Sequence, residues 1–166
     1  MRISLGNDHA GFALKEHVVN VLHSLGHEVL DHGTRDDSPV DFPDITAATC
    51  EVVRRGIAER AVLICGTGVG AVMAANKIPG IRAALGHDVY SAHQSVEHDD
   101  ANCIVLGAWL IGPAIATETI TAFLAATFDA DEDTQRRVEK LHQLELSGAL
   151  ELLGRAQQPI EAGGLR

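Results

Sequence analysis

A chain of 166 residues with 46% hydrophobic but only 4% aromatic side chains has the length of one ordinary domain, and its core must be built from Val, Ile, Leu and Ala, as in buried parallel sheets. The 13 Lys and Arg against 23 Asp and Glu give a formal charge of −10, which argues against nucleic acid or an anionic membrane as a partner and requires any anionic ligand to be held locally against the overall field. No stretch is apolar enough to span a bilayer and "MRISLGNDHAG" lacks a signal peptide's apolar core, so a cytoplasmic location is expected.

In chain order, the short apolar run 2–6 (RISLG) ends at a glycine and predicts a first strand. Over 10–26, Leu14, Val18, Val21 or Leu22, and Leu25 recur at helical spacing, with Gly26 as the stop. Residues 27–31 (HEVLD) predict a second strand. The stretch 32–44 (HGTRDDSPVDFPD) is rich in turn residues and reads as a loop, with Asp44 capping a helix to about Arg55. Residues 60–65 (RAVLIC) are the clearest strand, followed by glycines and a short helix ending near "KIPG". A fourth strand is expected at 81–86, a helix capped by Asp88 through about Glu97, and a fifth strand at 103–107. Pro113 sits in the first turn of a helix over 113–128, and a last helix covers 129–153 with acids in its first turn. Strands alternating with helices in this way predict a single-domain, doubly wound α/β fold: a five-stranded parallel sheet with helices on both faces, Rossmann-like. The tail 154–166 reads as frayed.

Sites in such sheets gather beyond the carboxyl ends of the strands. "CGTGVG" there places Gly66, Gly68 and Ala71 in a G-x-G-x-x-A pattern, but after the third strand rather than the first, which disfavours a dinucleotide loop; no GK[ST] follows. A tight strand-to-helix turn and an anion cradle of backbone N–H groups both stay open. Cys50 and Cys103 read as small core residues, and three cysteines without a CxxC read as reduced thiols. Cys65 differs by standing at a strand end beside a helix N-terminus, where a thiolate is favoured and can act as nucleophile or general base. Asp8 and His9 are an acid–base pair or an anion site, with Asp8 alternatively a helix cap. His98 is a proton donor or a solvated helix-end histidine, and Arg136 with Arg137 is an anion clamp or a solvated face. There is no HExxH and no Cys/His cluster, so no metal is expected.

Taken in order, "GNDHAGFALK", "HEVLDHGT", "DFPD", "CGTGVGAVMAANKIPGIRAAL", "YSA", "EHDDAN" and "QRRVE" resemble the type B ribose-5-phosphate isomerase family, which includes the galactose-6-phosphate isomerase subunits. The likeness covers about residues 2 to 145. It implies an isomerase domain over 1–145, including a C-terminal dimer helix, and a partly flexible extension over 146–166. It implies an aldose–ketose isomerase of a small sugar or sugar phosphate without metal or other cofactor, working as a homodimer or tetramer whose active sites are shared between subunits. Cys65 matches the base that moves a proton between C1 and C2 through a cis-enediolate, and Gly66, Gly68, Val69 and Gly70 lie in the loop implied to hold the oxyanion. Thr67, His98 (across the dimer) and Asp8 are implied in ring opening, and His9 and the partner-contributed Arg137 in phosphate binding.

The chain departs from that pattern at four positions. Asp99 stands where Asn is common, Trp109 and Asp133 where phosphate-binding arginines are usual, and Phe42 makes DFP of the usual DYP. Losing two cations removes charge-assisted bonds of about 1.5–3 kcal/mol each, and Asp133 adds repulsion. The substrate is therefore expected to be something other than ribose 5-phosphate: a free sugar, or a phosphosugar of different length or stereochemistry. Arg35, Arg136 and Lys77 are the cations available to compensate. A non-catalytic partner subunit or sugar-binding regulator is the alternative reading.

Overall fold

Five strands, β1 (Arg2–Asn7), β2 (Glu28–Asp31), β3 (Arg60–Cys65), β4 (Ala83–Leu85) and β5 (Cys103–Gly107), form one all-parallel sheet in the order β2-β1-β3-β5-β4. The helices are α1 (Phe12–Ser24), α2 (Phe42–Arg54), α3 (Val69–Ala75), α4 (Val89–Glu97), α5 (Pro113–Ala125) and α6 (Glu132–Ala156). These coordinates are a computed structural model that describes residues 1–156. Parallel neighbours need crossovers, and a helix supplies each one. The expected doubly wound α/β architecture is the one observed.

Side-chain alternation sorts the core into two layers. Ile3, Leu5, Val62, Ile64, Ile104 and Leu106 point to one face and pack with α1, α4 and α5 through Leu14, Val18, Val96, Ile120 and Phe123. Ala61, Leu63, Cys103 and Val105 point to the other and pack with α2 and α3 through Cys50, Ala71 and Ala75. Cys50 and Cys103 are free, fully buried thiols, as the sequence suggests.

Local chemistry moves several boundaries. Asp8, not a helix residue, closes a 3-10 turn over His9–Gly11 by accepting the Gly11 N–H at 2.9 Å, so α1 starts at Phe12. The α2 helix starts at Phe42 because Pro43 favours a first helical turn; Asp41 is its cap position, and Asp44, expected as the cap, lies inside the first turn. Asp88 does cap α4, accepting the Ser91 N–H at 2.7 Å. β4 is three residues rather than six, because the Ile81 N–H closes a turn on the Ile78 carbonyl and Arg82 donates to Asn102 and Asp100 before pairing starts.

The chain separates into two compact units, Met1–Asp129, which holds the sheet and α1–α5, and a second that begins at Ala130. The sequence reading placed its division after 145; α6 runs uninterrupted through that point to Ala156. In this second unit the Asp131 carboxylate accepts the Thr134 N–H at 2.7 Å at the start of α6. Of the tail expected to fray, 154–156 are helical and 157–166 lie outside the described residues.

Among the described residues no helix is long and apolar enough to cross a membrane.

The carboxyl ends of β1 and β3 are locked by a backbone contact. A Cβ built on Gly11 would lie 2.3 Å from the Ile64 carbonyl oxygen, the same oxygen that accepts the Asp8 N–H at 3.1 Å. Neither neighbour is a flexible side-chain end, so Gly11→Ala is expected to cost about 1–3 kcal/mol. A urea titration should show a lower midpoint with an unchanged m-value. An unshifted midpoint would mean that the β1 and β3 ends part without penalty.

Candidate active site

The strand order reverses between β1 and β3: from β1 the chain crosses to β2 on one side, then returns to β3 on the other. Loops leaving β1 and β3 therefore diverge, and the crevice between them is where open α/β sheets place ligands. Asp8 follows β1, and Cys65 ends β3. The pairing of Asn7 with Ile64 sets the two residues side by side.

Cys65 is half-buried and Asp8 is 5% exposed. Burial pushes the Cys65 thiol above its ordinary value, and the Asp8 carboxylate adds to this by accepting the thiol's hydrogen bond and repelling a thiolate. The backbone N–H groups of Gly68 and Gly66 pull the other way without reversing the outcome. The sequence reading expected the following helix to favour a thiolate. That expectation is corrected: α3 has only seven residues, a short dipole that burial and a neighbouring carboxylate outweigh.

The glycine loop is shaped around this sulfur. Gly68 has φ +79°, a left-handed conformation that turns the chain into α3. The Val69 N–H is held by Thr67 Oγ1 at 3.3 Å, so that donor is spent within the loop, while the Gly66 and Gly68 N–H groups act on Cys65. Two aromatic rings lie on the loop. A Cβ on Gly66 would come within 2.9 Å of the Trp109 indole, and one on Gly70 within 2.9 Å of the Phe42 ring. Trp109 also donates its backbone N–H to the Gly66 carbonyl at 2.9 Å, yet stays 71% exposed. This places an open apolar wall where the sequence comparison expected a cation.

His9 is half-buried, and its Nδ1 accepts the Val40 N–H at 3.3 Å. In the neutral ring this leaves Nε2 as the protonated, donating nitrogen. The neighbouring Lys15 is not available to a ligand, because it pairs with Asp31 at 2.8 Å and donates to the Thr34 carbonyl at 2.6 Å. Among the described residues no group of three or more His, Cys, Asp or Glu side chains is placed to hold a metal ion.

His98 and Asp99 do not join this site within one chain. His98 ends α4, donating its N–H to the Gln94 carbonyl at 2.9 Å, and both residues are exposed. Two residues later Asp100 holds Arg82 ahead of β4, and the Asn102 carbonyl receives the Ala61 N–H at the start of β3. His98 thus lies toward the amino edge of the sheet. Cys65 lies at the carboxyl edge, one six-residue strand away, a span of roughly 16 Å at ~3.3 Å per step.

Asp133 and Arg137 belong to the second unit. The Asp133 carboxylate lies 2.7 Å from Arg136 and 3.5 Å from Arg137 on the exposed surface of α6.

Two polar residues at strand ends escaped the sequence reading. Asn7 is buried and donates to Thr34 Oγ1 at 2.9 Å and to the Asp8 carbonyl at 3.0 Å, fixing the β1 exit. His87 follows β4, and its buried Nε2 has no hydrogen-bond partner among the described residues; a Cβ on Gly107 would meet it at 2.7 Å and the Thr67 carbonyl at 2.8 Å. The available signal was positional: each is polar and stands at or just beyond the carboxyl end of an apolar strand.

Comparison with known proteins agrees with this architecture. Residues 3–141 match the Ribose/Galactose Isomerase family. Ribose-5-phosphate isomerase B of Escherichia coli (strain K12) is 38% identical over 144 residues, covering 87% of this chain and 96% of its own. A 4-deoxy-4-sulfo-D-erythrose isomerase from Clostridium sp. (strain MSTE9) is 33% identical over 165 residues, covering 99% of this chain and 100% of its own. The solved structure of Clostridium thermocellum ribose-5-phosphate isomerase B superposes with a TM-score of 0.86 at 39% identity, covering 89% of this chain and 99% of that one. The chain therefore belongs to the ribose/galactose isomerase family and is a sugar isomerase of the aldose–ketose kind.

Proposed function

We propose that Cys65 is the base that carries a proton between C1 and C2 of an open-chain sugar. The observation that carries this reading is the convergence on one sulfur of the Asp8 carboxylate and the Gly66 and Gly68 N–H groups, at the switch point of the sheet. Cys65 Sγ takes the C2 proton, the electrons pass into a cis-enediolate, and the same sulfur returns the proton to C1 while a second proton moves from the C2 oxygen to the C1 oxygen. A raised thiol makes the thiolate scarcer at rest but each thiolate a stronger base, so the reaction requires an acceptor that clears the thiol proton. Asp8 is the acceptor poised to receive the thiol proton as substrate enters. Loop N–H groups of Gly66, Gly68 and Gly70 stabilise the oxygen on which charge develops.

The reading places His98, with Thr67, at ring opening, and His98 must come from a second copy, because one chain holds it a strand length from Cys65. Leu141, Leu144, Leu146 and Leu150 of α6 are 47–68% exposed in the single chain, apolar surface suited to a homodimer. Arg137 and Asp133 of that second copy, with His9, then receive the distal end of the sugar, and Asp99 lies beside its ring-opening histidine. The enzyme works in the cytoplasm, without a cofactor.

Substrate length follows from Trp109. Its ring lies on Gly66, next to the reacting carbons, and narrows the route along which a sugar extends from Cys65. Among the relatives compared, the one aligned along its full length is named for a four-carbon sugar derivative. A four-carbon acid sugar is therefore a better substrate than ribose 5-phosphate.

Cys65→Ala should keep its fold by circular dichroism and lose about 10²–10⁴-fold in kcat; undiminished turnover would remove the base assignment. Asp8→Asn removes a carboxylate that holds the thiol up, so the pH midpoint of Cys65 alkylation by iodoacetamide should fall; a rise would reverse the electrostatic account. Mixing Cys65→Ala with His98→Ala subunits should restore activity through one intact shared site per heterodimer. Failure of verified heterodimers to recover would place both residues' roles within one chain. Trp109→Ala should raise kcat/KM for ribose 5-phosphate relative to a tetrose phosphate by about tenfold. An unchanged ratio would relieve Trp109 of any part in selecting length.

A further inference from the structure

We propose that His87 is a positioning residue of this isomerase: its imidazole fixes the peptide between Thr67 and Gly68 and so aims the Gly68 N–H at the Cys65 sulfur. The effect on turnover rests on the reading of Cys65 as the base; the effect on the sulfur does not.

Strand alternation puts His87 on the right face. Ala83 and Leu85 of β4 pack in the layer against α2 and α3, together with Val105 and Cys65. Pairing continues one residue past β4, where the Gly86 N–H donates to the Val105 carbonyl at 2.8 Å, and a Cβ on Gly86 would meet Ile104 of the opposite layer. His87, one residue on, therefore returns to the Cys65 face. Cys65 pairs with Gly107 across β3 and β5, and the missing side chain of Gly107 leaves a gap beside the thiol. A Cβ there would lie 2.7 Å from His87 Nε2 and 2.8 Å from the Thr67 carbonyl oxygen, so glycine lets these two atoms converge on one point.

Main-chain bonds single out Thr67. The Cys65 carbonyl accepts the Ala108 N–H and the Gly66 carbonyl accepts the Trp109 N–H, both at 2.9 Å. The Thr67 carbonyl, next in order, accepts no hydrogen bond among the described residues, and the buried Nε2 of His87 has no partner among them either. A ring N–H and a carbonyl oxygen satisfy each other, and a buried polar atom left unpaired is costly. The adjacent Asp88 carboxylate is committed to capping α4 at the Ser91 N–H.

The peptide bond carries that contact to the sulfur. It is planar and trans, so the Thr67 C=O and the Gly68 N–H point in opposite directions. A carbonyl held on the His87 side sends the N–H to the Cys65 side, where it acts on the sulfur more strongly than the Gly66 N–H does. Gly68 has φ +79° and no side chain to resist a flip of that peptide, so its orientation needs a hold from outside the loop.

The test compares the full-length protein with His87→Leu and His87→Gln. Leu fills much of the ring's space without a donor, whereas the Gln amide carries an N–H to about the place of Nε2. His87→Leu should lower kcat about tenfold with KM little moved, on whichever of ribose 5-phosphate and a tetrose phosphate is turned over faster; outright removal of an oxyanion donor costs ~10²–10³-fold. The pH midpoint of Cys65 alkylation by iodoacetamide should rise in His87→Leu, because a donor that favours the thiolate has turned away. His87→Gln should restore most of kcat and of the midpoint, which a mere filler of space would not require. Long-range proton–nitrogen correlation spectra of the isotope-labelled, unsubstituted protein should show a proton on His87 Nε2, a readout that stands even if His87→Leu does not fold. A bare Nε2, a Gln variant no better than Leu, or an alkylation midpoint that His87→Leu leaves unmoved overturns the inference. A raised midpoint with kcat intact keeps the positioning and removes Cys65 as the base.

Discussion

The hydrogen bond from the Asp8 N–H to the Ile64 carbonyl, made where Gly11 leaves no room for a side chain, ties the exits of β1 and β3 together. Everything chemical in the first unit depends on that tie. It sets a carboxylate against a thiol at the one place where the sheet's strand order reverses and the loops part. The strands themselves are held by two apolar layers, and the polar residues sit where those layers end. Asn7 shows the cost of doing so. Its amide must be buried, and it spends its N–H groups on Thr34 and the Asp8 carbonyl to keep the β1 exit in shape.

The same tie explains why the thiol is raised. A cysteine meant to react as a nucleophile gains from a depressed pKa. A general base works best with a pKa near the working pH, so a raised thiol requires an acceptor that clears its proton. Burial and the Asp8 carboxylate raise it here. The Gly66 and Gly68 N–H groups moderate the effect and keep a thiolate accessible.

The fold was legible in the sequence because its two layers are written as alternation. β3 and β5 were read with their observed bounds, since each is a continuous apolar run bounded by polar residues or glycine. The pattern predicts too long a β4, because Ile81 and Arg82 look like strand residues, whereas Ile81 closes a turn on Ile78 and Arg82 is drawn to Asn102 and Asp100, a tertiary preference with no local mark. Asp41 and Asp44 were confused because Pro43 lies between them and both are plausible caps. The placement of Asp8, Cys65 and the glycine loop at one carboxyl edge also followed from the strand pattern. The sign of the thiol shift did not, because it depends on burial and on one hydrogen bond across two strands. His87 was missed for the same reason: its relation to Gly107 and Thr67 exists only once β4 and β5 are paired.

The residues proposed for the reaction and those proposed for selectivity fall on different parts of this chain. Asp8 and Cys65, proposed to handle the proton, lie at the ends of buried parallel strands. Trp109 and Asp133 are exposed, one on the loop after β5 and the other in the first turn of α6. Neither side chain carries the core, so either can change without unfolding the sheet. The contacts proposed to read length and charge are therefore not the contacts that hold the protein together. The charge of the chain follows the same logic. Lys15, Arg60 and Arg82 serve the fold by binding Asp31, two helix-end carbonyls and Asp100. Those cations are committed to the fold, while Asp133 pairs with Arg136 and Arg137 on the exposed surface of α6, where no core packing depends on them.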